Sequence, residues 1–141
     1  MSFNPNYHFI EEVMRNQKPK RLPLYEHTIN PAIMEQILGV KFADMQQGNE
    51  ADLSIFFEHY CGFYRKMTYD TVSFEVTITD QLPEHGAILG GKPGPIQNRQ
   101  DFERYPWSHL PELYWQKAEK QFEILAGMMP EGMKAIGGIG N

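Results

Sequence analysis

The chain is 141 residues long, about one domain's worth, with 41% apolar and 22% charged residues, which excludes a compositionally disordered polymer. Thirteen basic and 18 acidic side chains give a net charge of −5, and the longest basic run is Lys18-Pro19-Lys20-Arg21, which argues against a nucleic-acid-binding surface. A single cysteine, Cys61, excludes an intramolecular disulfide, and no run approaches the roughly 18 apolar residues of a membrane span. A cytoplasmic protein with no membrane contact is the expectation.

In chain order, Phe9, Ile10, Val13 and Met14 recur at helical spacing and predict a short first helix ending before Pro19. The apolar run RLPLYEH (Arg21 to His27) reads as a strand. Asn30 as N-cap, Pro31 in the first turn and Gly39 just past the end mark a helix over 31–38. Phe56, Tyr60, Phe63 and Met67 lie on one face of a longer helix within 50–67. TVSFEVTI then alternates strictly, with Val72, Phe74, Val76 and Ile78 on one side and Thr71, Ser73, Glu75 and Thr77 on the other. Asn98 caps a short helix at 99–104, and Tyr114, Ala118, Phe122 and Leu125 mark a further one beginning near Pro111. MKAIGGIG closes the order as a third strand running into a glycine-rich turn.

Strands separated by helices imply parallel pairing. The predicted fold class is therefore α/β, with about three parallel strands and flanking helices. Three strands cannot close a barrel, and a (β/α)8 barrel takes roughly 250 residues. The choice lies between a small open domain and the N-terminal portion of a barrel, with 1–141 as one partial domain.

Three motifs invite chemistry. Gly86 to Lys92 spells G-x-x-x-x-G-K, but Pro93 stands where a phosphate loop needs a Ser or Thr hydroxyl for Mg²⁺, so that reading fails. Gly138-Ile139-Gly140 spells half of a dinucleotide fingerprint, and a tight turn is the better reading. His59-x-Cys61 imitates a zinc pair, but residues two apart on a helix point about 200° apart, and no second cysteine exists. A packed His and Cys are favoured, and no metal ligand is assigned.

Glu26, His27, Glu75 and Asn141 are the stronger candidates. In a parallel barrel the carboxyl ends of the strands line the active site. Glu26 and His27 would end the first strand, and Asn141 the third. Glu75 lies on the polar face of the second, where a carboxylate needs a functional role or a salt bridge. Glu75 and His27 are the expected catalytic residues, Glu26 and Asn141 the substrate contacts; the competing reading of His27 is a strand-end ring bonded to backbone.

RLPLYEH, YDTVSFEVTITDQLPEHGAILGGKPGPIQNRQDFERYPW and PEGMKAIGGIGN together resemble the N-terminal part of the uroporphyrinogen decarboxylase superfamily. The resemblance runs from about Phe9 to Asn141. It rests on the order R-x-P, an Asp-led strand, G-K-x-G-P-I and a D-F-E-R helix. It implies a (β/α)8 barrel of well over twice this length, so the 141 residues alone are expected to be inactive.

The family includes the decarboxylase of haem biosynthesis and methyltransferases of the corrinoid and coenzyme M type. Decarboxylases follow R-x-P with arginines that hold the substrate's carboxylates, where this chain has Thr28, Ile29, Asn30 and Pro31. They also carry an essential Asp near the position of Thr77; Asp80 is three residues too late and Glu75 two too early. The resemblance therefore implies a methyltransferase-type enzyme acting on a small molecule with a corrinoid or thiol acceptor, and a corrinoid protein as partner. Zinc is implied only for the full-length parent, not for this segment. The alternatives are uroporphyrinogen decarboxylase itself and a non-catalytic half-barrel binding module.

Overall fold

A computed structural model of the chain describes residues 3–78 and 93–140. The chain divides into two compact units, Met1–Phe74 with Phe122–Gly137, and Glu75–Gln121 with Gly138–Asn141. The described elements are α1 (His8–Met14), α2 (Pro31–Leu38), a 3₁₀ turn (Ala43–Gln47), α3 (Glu50–Lys66), β1 (Thr71–Thr77), α4 (Arg99–Arg104), a second 3₁₀ turn (Trp107–His109), α5 (Leu110–Gly127) and β2 (Lys134–Gly140). The two strands form a parallel sheet, and the architecture is mixed α/β, mostly helical. No described helix is long and apolar enough to cross a membrane.

In the first unit, local chemistry accounts for the helix ends. The Asn30 side chain accepts the Ala32 N–H at 2.9 Å, Pro31 occupies the first helical position, and Gly39 closes α2 at φ 73°, a left-handed value that costs glycine little. A reciprocal capping box starts α3: Asn49 accepts the Ala51 and Asp52 N–H groups, and Asp52 accepts the Asn49 N–H at 3.0 Å.

The α3 stripe buries Phe56, Tyr60 and Phe63 as its spacing requires. The apolar arc is wider than that stripe, because Leu53, Phe57, Cys61 and Tyr64 are buried too, while Met67 at the end is 39% exposed. Their rings form one aromatic cluster with Phe42 and Phe74. The Tyr60 and Tyr64 hydroxyls both donate to the Ser73 carbonyl, at 2.7 and 3.3 Å, which satisfies the polar ends of two buried rings.

Glu35 ties α2 to the turn that follows. Its carboxylate is 7% exposed and accepts the Phe42 and Ala43 N–H groups at 2.7 and 2.9 Å and the Lys41 ammonium at 2.7 Å. The Ala43 N–H, then Lys41 and the Phe42 N–H, hold the carboxyl down from its ordinary 4.5 to about 2. A folded-state value below the unfolded one means that this carboxylate stabilises the fold fully above about pH 4.5, and that the contribution is lost as pH falls to about 2. Replacing Glu35 with Gln should lower Tm at pH 7. The gap between the two proteins should close through that acid window when Tm is followed against pH; a constant gap would refute this role.

Two expectations about strands are corrected. Arg21 to His27 forms no strand; the segment is irregular, and only Pro23 within it is buried. Pro23 offers no N–H to a ladder, Leu22, Leu24 and Tyr25 are 79%, 45% and 50% exposed, and Arg21 is turned toward Asp70. The described residues therefore hold two strands rather than three. Second, Gly137 to Gly140 continue β2 instead of forming a turn.

β1 lies where the alternation places it, but its first four residues are all buried, Thr71 and Ser73 at 3% each. The supposed polar face is covered here, as is usual for a parallel strand.

In the second unit, Asn98 caps α4 by accepting the Asp101 N–H at 3.0 Å, and Asp101 in turn accepts the Gln97 N–H at 3.1 Å. The Trp107 indole donates to the Phe102 carbonyl at 2.8 Å, turning the chain into the second 3₁₀ turn. Tyr114, buried on α5, donates its hydroxyl to the Val76 carbonyl at 3.3 Å and anchors that helix to β1. The Gly86 to Lys92 motif lies outside the described residues.

Candidate functional site

Glu75 sits in the carboxyl half of β1 and is half-buried, with the half-buried Thr77 two residues on. Strand geometry puts Glu75 and Thr77 on one face, and Gly138 and Gly140 of β2 share a face by the same period. These faces meet. A Cβ built on Gly138 would stand 3.0 Å from Glu75 Oε1, and one on Gly140 would stand 3.0 Å from Oε2 and 3.4 Å from Thr77 Oγ1. The carboxylate therefore lies along the neighbouring strand, one oxygen over each glycine. Gly137 belongs to the other face, where its Cβ would meet the Phe122 ring at 3.1 Å. A half-buried carboxylate at the carboxyl end of a parallel strand can take or give a proton, or accept a hydrogen bond from a bound group.

Glu26 and His27 are exposed residues of the first unit, on the irregular segment that replaces the expected first strand, so neither stands at a strand's end. The Tyr25 hydroxyl lies 3.4 Å from His27 Nδ1. The charge of Glu26 reaches Tyr69, whose hydroxyl is pushed up first by burial and then by that carboxylate. Asn141 lies outside the described residues.

Neither a protein-family model, nor a curated protein, nor a solved structure matches this chain.

Zinc does not fit the His59-x-Cys61 pair. Cys61 is 1% exposed, and burial pushes its thiol up to about 12, which disfavours the thiolate a metal requires. His59 packs near the Phe42 ring, with centroids 5.4 Å apart. Among the described residues, no group of three or more His, Cys, Asp or Glu side chains is placed to hold a metal ion.

One polar centre escaped the reading of the sequence. Asp70, fully buried just before β1, accepts the Asn6 N–H at 2.6 Å and both terminal nitrogens of Arg21. Arg21 also stacks over the rings of Phe3 and Phe9, 4.8 and 4.9 Å from their centroids. The Arg of R-x-P and the Asp leading the strand, met in the sequence only as markers of a resemblance, are a single ion pair. Its surroundings make it a brace for the first unit.

Proposed function

We propose that the chain forms the opening strands and helices of a uroporphyrinogen decarboxylase-like (β/α)8 barrel, and that the enzyme is of the methyltransferase type, using a corrinoid or thiol acceptor. The observation that carries this reading is the Glu75 carboxylate, half-buried in the carboxyl half of a parallel strand and laid against two glycines of the next. That end of the strands is where barrel enzymes keep their chemistry. The helical connection from β1 to β2 and the ordered motifs from Arg21 to Gly140 support the same reading. Thr77, near the position where decarboxylases need an Asp, favours methyl transfer over decarboxylation.

In this scheme Glu75 accepts or returns a proton at the substrate, or accepts its hydrogen bond. His27 is the second catalytic candidate, and Glu26 and Asn141 contact the substrate. The reading carries with it a small-molecule substrate, a corrinoid protein as partner and a cytoplasmic location. Any zinc, which would activate the thiol or assist the methyl group, would need ligands other than His59 and Cys61.

The test is methyl transfer from a methylated corrinoid to a thiol by the protein expressed from the complete reading frame. Glu75→Gln is expected to lower kcat by roughly 100-fold, the usual scale for losing a general acid or base, with a smaller change in KM. Turnover of uroporphyrinogen instead would make the enzyme a decarboxylase. Absence of both activities from a stable, monodisperse 141-residue product would favour a binding module.

A further inference from the structure

The glycines of β2 have no role in a turn, since the strand runs through them to Gly140. Three glycines in seven strand residues weaken a strand, and such a choice marks close approach of another group. Here the group is visible. At Gly138 a Cβ would stand 3.0 Å from Glu75 Oε1, 3.2 Å from its Cγ and 3.4 Å from its Cδ, so most of the side chain is in the way. At Gly140 it would meet Oε2 at 3.0 Å. A Cβ at either place would force the Glu75 side chain to give by a few tenths of an ångström.

We propose that Gly138 and Gly140 are positioning residues for Glu75, forming a shallow bed that holds its carboxylate along β2. This deepens the reading of Glu75 as the reacting carboxylate and rests on it for its functional meaning. The bed fixes the direction in which the carboxylate presents its oxygens, and rate depends on the placement of a reacting group. Gly137, on the opposite face against Phe122, is the built-in control: a methyl group there meets a ring and leaves Glu75 untouched.

The test uses the full chain with Gly138→Ala, Gly140→Ala and Gly137→Ala, each with ¹³C-labelled glutamate. The Glu75 carboxyl resonance is assigned by its loss in Glu75→Gln. Gly138→Ala and Gly140→Ala should displace that resonance, and Gly137→Ala should leave it in place. Gly138→Ala should also lower Tm by about 5 °C, as expected for a forced contact in a packed sheet. Adding Glu75→Asp, one methylene shorter, should restore most of that loss.

The proposal is overturned if the resonance stays unmoved in Gly138→Ala, or if the aspartate fails to rescue a destabilised or unfolded Gly138→Ala. These readouts require no turnover. Their failure would remove the glycines' role while leaving the methyltransferase reading standing. Lack of methyl transfer by the unaltered enzyme would remove that reading alone.

Discussion

Phe57→Ala should cost about 4 kcal/mol of folding stability and lower Tm by about 12 °C. Phe57 is fully buried, and its ring meets Phe56, Phe74 and Tyr60 edge-on, with centroids 5.1, 4.9 and 6.3 Å apart. The Phe74 contact joins α3 to β1, so truncation removes apolar area and opens a void where helix and strand meet. The surrounding rings are too rigid to collapse fully into it, which puts the cost toward the upper part of the range for buried aromatics. Phe57→Leu keeps most of the volume and should cost about 1 kcal/mol. Trp115→Ala, at a side chain 53% exposed, should change stability by less than about 0.5 kcal/mol. Urea unfolding at unchanged slope measures all three. A loss below about 1 kcal/mol for Phe57→Ala would mean that this cluster is not the core of the unit.

Phe57 also marks how far the sequence pattern reaches. Spacing of Phe56, Tyr60 and Phe63 announces one face of α3, and Asn30, Gly39 and Asn98 announce helix ends, because capping needs only neighbours a few residues away. The added burial of Phe57, Cys61 and Tyr64 depends on how much of the helix its surroundings wrap, which no local period encodes. The same limit explains the Arg21 to His27 segment. Its apolar run satisfies the local rule for a strand, but strands exist only by pairing, and Arg21 finds its partner 49 residues away at Asp70 instead.

The candidate site divides along the same line. Glu75 was legible because a carboxylate on an otherwise apolar or hydroxylic strand is unusual whatever lies beside it. Its resting place was not, since the glycines that receive it follow a long helical connection and read locally as a turn. Glu26 and His27 drew their significance from a strand that does not form. Arg21 and Asp70 stood in the sequence as separate motif letters, and only the fold makes them one interaction.

That interaction carries the second large expectation. Asp70 is wholly buried while the Arg21 side chain is 36% exposed, so the pair is half in water. Asp70→Asn would keep an acceptor for the Asn6 N–H but leave the guanidinium without its counter-charge, at an expected cost of about 3 kcal/mol, or about 10 °C in Tm. Arg21→Met should cost at least as much, because it strands an ionised carboxylate in the interior and withdraws the cation held over Phe3 and Phe9. The double variant Arg21→Met with Asp70→Asn should be more stable than the sum of the two losses implies, by about 2 kcal/mol, since neither orphaned charge is present. Because Asn6 is bonded to the same carboxylate, amide exchange in 4–15 should accelerate in every variant that breaks the pair. Strictly additive losses with unchanged exchange there would show that the ion pair, though buried at one end, contributes nothing to holding the N-terminal segment against the start of β1.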